Sequence, residues 1–137
     1  MNRFVKTMLI SLSILIVVGV STFLAVLKAT DKNDDEITID EMNEYSYETP
    51  EITTDLADGK FVRIQFQVIT DGKKAFEEVE KREFQIKNIL IKELAVMNEE
   101  DFKTGLSDLE GNMRDNLNEV MTEGMITDVY TVSKILQ

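Results

Sequence analysis

The chain has 137 residues, 26 acidic against 15 basic, with no cysteine and no histidine. Zero cysteine excludes disulfides, thiol nucleophiles and thiolate metal sites, and zero histidine removes the commonest zinc ligand and the commonest general base near neutral pH. A net charge of −11 repels phosphate-bearing polymers, which argues against nucleic acid as a partner.

The charge is unevenly spread. Thr7 to Leu27 is a run of 21 residues without a single charge, bounded by Lys6 and Lys28. A helix of that length rises roughly 30 Å, the thickness of bilayer hydrocarbon, and it pairs its own backbone groups where no water can. A cleaved signal peptide would have a shorter apolar core of about 7–15 residues and a small-x-small cleavage site. Leu27-Lys28-Ala29 is a poor one, and without cysteine there is no lipoprotein anchor. The sequence therefore predicts an uncleaved transmembrane helix from Met8 to Leu27, after a cytoplasmic tail at 1–7. Arg3, Lys6 and the α-amine are denser in positive charge than the Lys28 and Lys32 flank, which orients the amino terminus inward and the rest of the chain outside the cytoplasm.

Residues 28–50 carry two lysines against eight acids and few large apolar side chains, a composition that cannot bury enough surface to offset ordering entropy. They read as an acidic linker with a reach of roughly 25 Å. Ile37, Ile39, Tyr45 and Tyr47 leave open that the segment orders within an assembly. Asp31-Lys32-Asn33-Asp34-Asp35 faintly resembles a calcium loop, but Glu36 stands where that loop needs glycine and Met42 where it needs a carboxylate.

From Glu51 the texture changes to that of a small α+β domain, 51–137, with the order ββααβ. Ile52–Leu56 and Lys60–Ile69 flank Asp58-Gly59, and Val62, Ile64, Phe66 and Val68 alternate with Arg63, Gln65 and Gln67. That is a half-buried β-hairpin. A long helix follows from about Lys73 to Met97, with Phe76, Val79, Ile86, Leu90, Leu94 and Met97 along one stripe. From Ile86 onward it is apolar around much of its circumference and calls for a second surface, another helix or another subunit. Asn98 to Leu106 reads as a polar loop, and Ser107-Asp108-Leu109-Glu110 fits a capping box. The second helix carries Leu109, Met113, Leu117, Val120 and Met121, with Gly124 as its C′ residue, before a final strand from Thr127 to Leu136.

No enzyme, cofactor, metal or small-molecule motif survives inspection. Glu77→Lys81, Glu78→Arg82 and Glu83→Lys87 are ordinary i,i+4 pairs of a solvated helix. No phosphate-cradling glycine loop or Gly-x-Ser-x-Gly elbow is present, and the methionines fit as core filling.

Taken in order, these segments resemble the flagellar basal-body-associated FliL family, most closely its shorter Gram-positive members. The resemblance is carried by EITTDL at 51–56, the alternating strand, KKAFEEVEKREFQIKNILIKELA at 73–95 and TDVYTVSKILQ at 127–137. Many members have proline where Phe84 stands and aspartate where Asn88 stands, which weakens any inference of a fixed helix kink. The resemblance implies a non-enzymatic single-pass protein of the cell (inner) membrane with an outer domain similar to the stomatin-type (SPFH-like) domain. It further implies a ring-forming homo-oligomer at the basal body beside the motor stator, supporting rotation, swimming, swarming and chemotaxis-linked control. On this reading Glu80, Lys81, Arg82 and Lys87 lie at a subunit or stator contact. Two other classes are weaker: a pilin-like subunit lacks its processing site and early glutamate, and a membrane sensor would have only the seven-residue tail to signal through.

Overall fold

The structure is a computed structural model that describes residues 2–30 and 37–137. They fall into two compact units divided between residues 36 and 37. The first is helix α1, Arg3–Thr30. It is long and apolar enough to cross a membrane, with mean hydropathy 2.6 and no buried residue. The helix outruns the predicted Met8–Leu27 span at both ends, since neither flank contains a breaker. Its hydroxyls are internally satisfied. Ser11 donates to Met8 O at 2.9 Å, Ser13 to Leu9 O at 2.9 Å, Ser21 to Val17 O at 2.8 Å and Thr22 to Val18 O at 2.9 Å. Each polar side chain thus spends its proton on the helix, which lowers the cost of placing it in hydrocarbon.

The second unit begins earlier than the sequence predicts. Within the supposed linker 28–50, residues 28–30 continue α1, residues 31–36 lie outside the described set, and 37–50 belong to the folded unit. Helix α2, Ile39–Glu44, is closed by a capping box between Thr38 and Glu41. Strand β1, Ser46–Glu48, pairs antiparallel with strand β3, Phe61–Thr70. Main-chain pairing holds this acidic stretch, so its poverty in apolar residues matters less than expected. Thr49, 1 % exposed, closes the join: its N–H donates to Phe66 O at 2.9 Å and its Oγ1 accepts the Phe66 N–H at 3.0 Å.

Strand β2, Ile52–Asp55, follows β1 on the same side of β3, and strand β4, Ile126–Leu136, pairs antiparallel on the other. The predicted hairpin is β2–β3, with Gly59 at φ +82 in its turn. Val62, Ile64, Phe66 and Val68 are buried under the helices while Arg63 on the alternate face is exposed, as period-two patterning requires.

The single predicted helix 73–97 is two, α3 (Lys73–Lys81) and α4 (Glu83–Ala95), joined at Arg82. Neither proline nor glycine stands at that break; the Arg82 N–H turns back to Val79 O at 2.9 Å. The predicted loop 98–106 contains a further helix, α5 (Glu99–Thr104), capped by Asn98 and Asp101. Helix α6, Leu106–Val120, starts a residue before Ser107, which therefore caps nothing. Glu110, expected to complete that box, instead accepts the N–H of Thr131 at 2.7 Å, where β4 bulges against β3. Gly124 does take positive φ, +91, but in the turn into β4 and not as the helix C′ residue.

The core lies between the sheet and its helical cover. Val79 of α3, Ile86, Leu90 and Leu94 of α4, Phe102 of α5 and Leu109, Met113 and Leu117 of α6 pack with the inward residues of β3. The start of β4 is pinned by a side chain that imitates a strand. Asn118 Nδ2 donates to Ile126 O at 2.9 Å, and Ile126 N–H donates to Asn118 Oδ1 at 2.7 Å. Ile126 is 1 % exposed, so Asn118→Ala leaves both its backbone groups dry and unpaired. A loss of about 2 kcal/mol is expected in denaturant unfolding of the full chain in detergent.

Candidate interaction surface

The four residues singled out from the sequence sit along α3 and α4, and the structure separates them into two kinds. Glu80 and Lys81 are exposed and form no ion pair. Arg82 and Lys87 are engaged. Arg82, at the helix junction, ion-pairs with Glu78 at 2.6 Å and donates from Nη1 to Gln85 at 2.5 Å. Lys87 ion-pairs with Glu83 at 2.9 Å in a half-exposed position. The four therefore do not converge on one site.

Glu78 is the residue the sequence reading missed. Taken there as one partner of a solvated pair, its carboxylate ties α3 to the turn before β4. It accepts the N–H of Glu123 at 2.6 Å, the N–H of Thr122 at 3.0 Å and the Thr122 hydroxyl at 3.1 Å, besides the Arg82 guanidinium. Desolvation pushes its pKa up, but the Arg82 hydrogen bond and those from Glu123 and Thr122 outweigh it and hold the pKa at about 2. A pattern search along one helix could not have found this, because the amides involved are 44 and 45 residues away.

A second polar link runs across the same side. The Tyr47 hydroxyl donates to Glu83 at 3.0 Å, and burial, then the Glu83 hydrogen bond, push the tyrosine to about 12. Lys87 and then Tyr47 hold the Glu83 carboxyl below its ordinary value. The strand β1 read as linker is thus joined by a side chain to α4.

What remains unpartnered is the outer face of α4. Phe84 is 70 % and Ile91 45 % exposed, Asn88 and Ala95 are exposed beside them, and Lys92 borders the strip. The helix buries one stripe, Ile86–Leu90–Leu94, and leaves a second one facing solvent. The sequence expectation that this helix needs a second surface is met in part: Glu93 accepts Nδ2 hydrogen bonds from Asn112 at 3.0 Å and Asn116 at 3.1 Å, binding α4 to α6. Phe84 and Ile91 stay uncovered. Among the described residues no group of three or more acidic side chains is placed to hold a metal ion. Such a site binds a surface; it offers no reaction.

Comparison with known proteins gives two findings. The family described as "Flagellar basal body-associated protein FliL" matches residues 46–137. The chain is 33 % identical over 121 residues to "Flagellar protein FliL" of Bacillus subtilis (strain 168), covering 87 % of this chain and 86 % of that protein.

Proposed function

The chain belongs to the FliL family of flagellar basal body-associated, non-enzymatic proteins, and from that premise we propose that it is a single-pass membrane scaffold whose outer domain contacts the stator units of the motor. In this reading α1 spans the cell membrane with its amino terminus in the cytoplasm. The 37–137 unit works outside, in a ring of copies, supporting rotation, swarming and chemotaxis-linked control of direction. The outer unit is further read as a relative of the stomatin-type domain.

The observation that carries the proposal is the family match over nearly all of the folded unit, preceded by a helix fit to cross a bilayer. The α3–α4 side supports the contact role, since it keeps large apolar side chains in solvent. Its centre is better placed at Phe84 and Ile91 than at Arg82, whose guanidinium is already committed.

Deletion of the gene is expected to reduce swimming in liquid and swarming on viscous surfaces, and a plasmid copy to restore both. Wild-type motility of a clean deletion in both media would overturn the proposal. In sealed right-side-out vesicles added protease should remove the carboxyl-terminal domain; full protection of it would reverse the orientation.

A further inference from the structure

The exposed face of α4 has a periodicity that its buried face does not use. Phe84, Asn88, Ile91 and Ala95 are spaced four, three and four residues apart, the d-a-d-a positions of two heptads. All four are exposed. In the same register Lys87 falls at g and Lys92 at e, the positions that flank such a seam and choose its partner. The two nearest carboxylates on α4 are occupied: Glu83 holds Lys87 and Tyr47, and Glu93 holds Asn112 and Asn116. In a chain of net charge −11 this strip therefore presents lysine with no free acid of its own helix.

We infer that the outer face of α4 is a docking seam for an amphipathic helix of a different protein, one with an apolar heptad stripe bordered by glutamate or aspartate. This deepens the contact-face reading above and rests on it. Charge decides against a second copy of this chain. Parallel pairing through the seam sets Lys87 against Lys92, and antiparallel pairing sets each lysine against its own counterpart. Both arrangements repel. An acidic helix meets the lysines in either direction, and the Lys87–Glu83 pair, half-exposed and worth little, yields to it readily. Asn88 at an a position favours a partner with a polar residue opposite, which fixes register at some cost in affinity. The seam is about 17 Å long, too short for a free-standing coiled coil, and so suits a partner already confined to the same membrane.

The test uses the full chain in nanodiscs of zwitterionic lipid and two designed peptides of three heptads. Both carry leucine at a and d and one asparagine at an a position; one has glutamate at every e and g, the other lysine. By fluorescence anisotropy the glutamate peptide is expected to bind at least about tenfold tighter than the lysine peptide. Lys87→Glu with Lys92→Glu should reverse that order, and Ile91→Lys should abolish binding of both, with circular dichroism and melting temperature unchanged in each variant. Equal binding of the two peptides, an unreversed preference in the double variant, or self-association through α4 would overturn the seam. So would a preference of this face for nanodiscs of anionic lipid, read as Ile91 protection in hydrogen exchange, with no peptide binding. Charge-dependent peptide binding with full motility of the deletion strain would overturn the scaffold reading alone. Lost motility with charge-independent peptide binding would overturn the seam alone.

Discussion

Glu78→Ala is expected to destabilise the outer domain by about 2 kcal/mol at neutral pH and to erase most of its sensitivity to mild acid. The side chain is 11 % exposed and its carboxylate gathers a guanidinium, two amides and a hydroxyl. Removing it strands Arg82, whose side chain is 23 % exposed, more than it strands Thr122 and Glu123, which are exposed and gain water in exchange. That exchange keeps the figure below what the number of contacts alone suggests. The pH dependence follows from the lowered pKa. A carboxyl held at about 2 when folded and returning to an ordinary 4.5 when unfolded binds fewer protons in the native state between those values. Its contribution is therefore whole above about pH 4.5 and is lost as the pH falls towards about 2. Denaturant midpoints of wild type and variant, measured at several pH values, should converge over that interval. A constant gap down to pH 2 would show that the carboxylate acts by packing and not by charge. Glu78→Gln should fall between the two, since one oxygen still accepts while the new amide faces amide donors.

The same residue shows where sequence reading stops. Strand β3 was legible because alternation needs no knowledge of the partner: Val62, Ile64, Phe66 and Val68 point one way whatever lies beneath. Strand β4 and the apolar stripes of α4 and α6 are equally local, and the predicted stripe residues Leu90, Leu94, Met113 and Leu117 are all buried. Glu78, Asn118 and Glu110 were not legible, because each spends its polar atoms on backbone exposed by a turn, a strand start or a bulge elsewhere in the chain. Ser107-x-x-Glu110 misled for the same reason: the box requires a free glutamate, and Thr131 had claimed it. The 37–50 segment was misread on composition. Its three strand residues and Thr49 are held by pairing to β3, which hydropathy does not register. Among the candidate contact residues, spacing placed the right helices on the surface. It could not tell the exposed Lys81 from the engaged Arg82, since that difference lies in Glu78 and Gln85.

Phe102→Ala is expected to cost about 3–5 kcal/mol, while Phe84→Ala costs less than about 0.5 kcal/mol. From sequence Phe102 is a lone aromatic in a polar stretch, and truncating a loop residue should be nearly free. In the structure it is 1 % exposed, packed into the main core, with Lys134 Nζ 5.6 Å from its ring centroid. The surroundings cannot easily close over the void. Helix α5 is fixed at its start by Asn98 Oδ1, which accepts the Asp101 N–H at 2.9 Å, and by Asp58, which accepts the Glu99 N–H at 2.9 Å. Ala57 N–H donates to Met97 O at 2.9 Å, so the hairpin turn and the α4–α5 connection hold each other in place. A rigid rim keeps the cavity open, which puts the loss toward the upper part of the range. Phe84, 70 % exposed, has no such setting, and its truncation should leave the unfolding midpoint where it was while weakening any partner that docks on α4. Paired denaturation of the two variants thus separates an aromatic that holds the fold from one kept at the surface. Equal losses from both would mean that α5 is not anchored to the core as described.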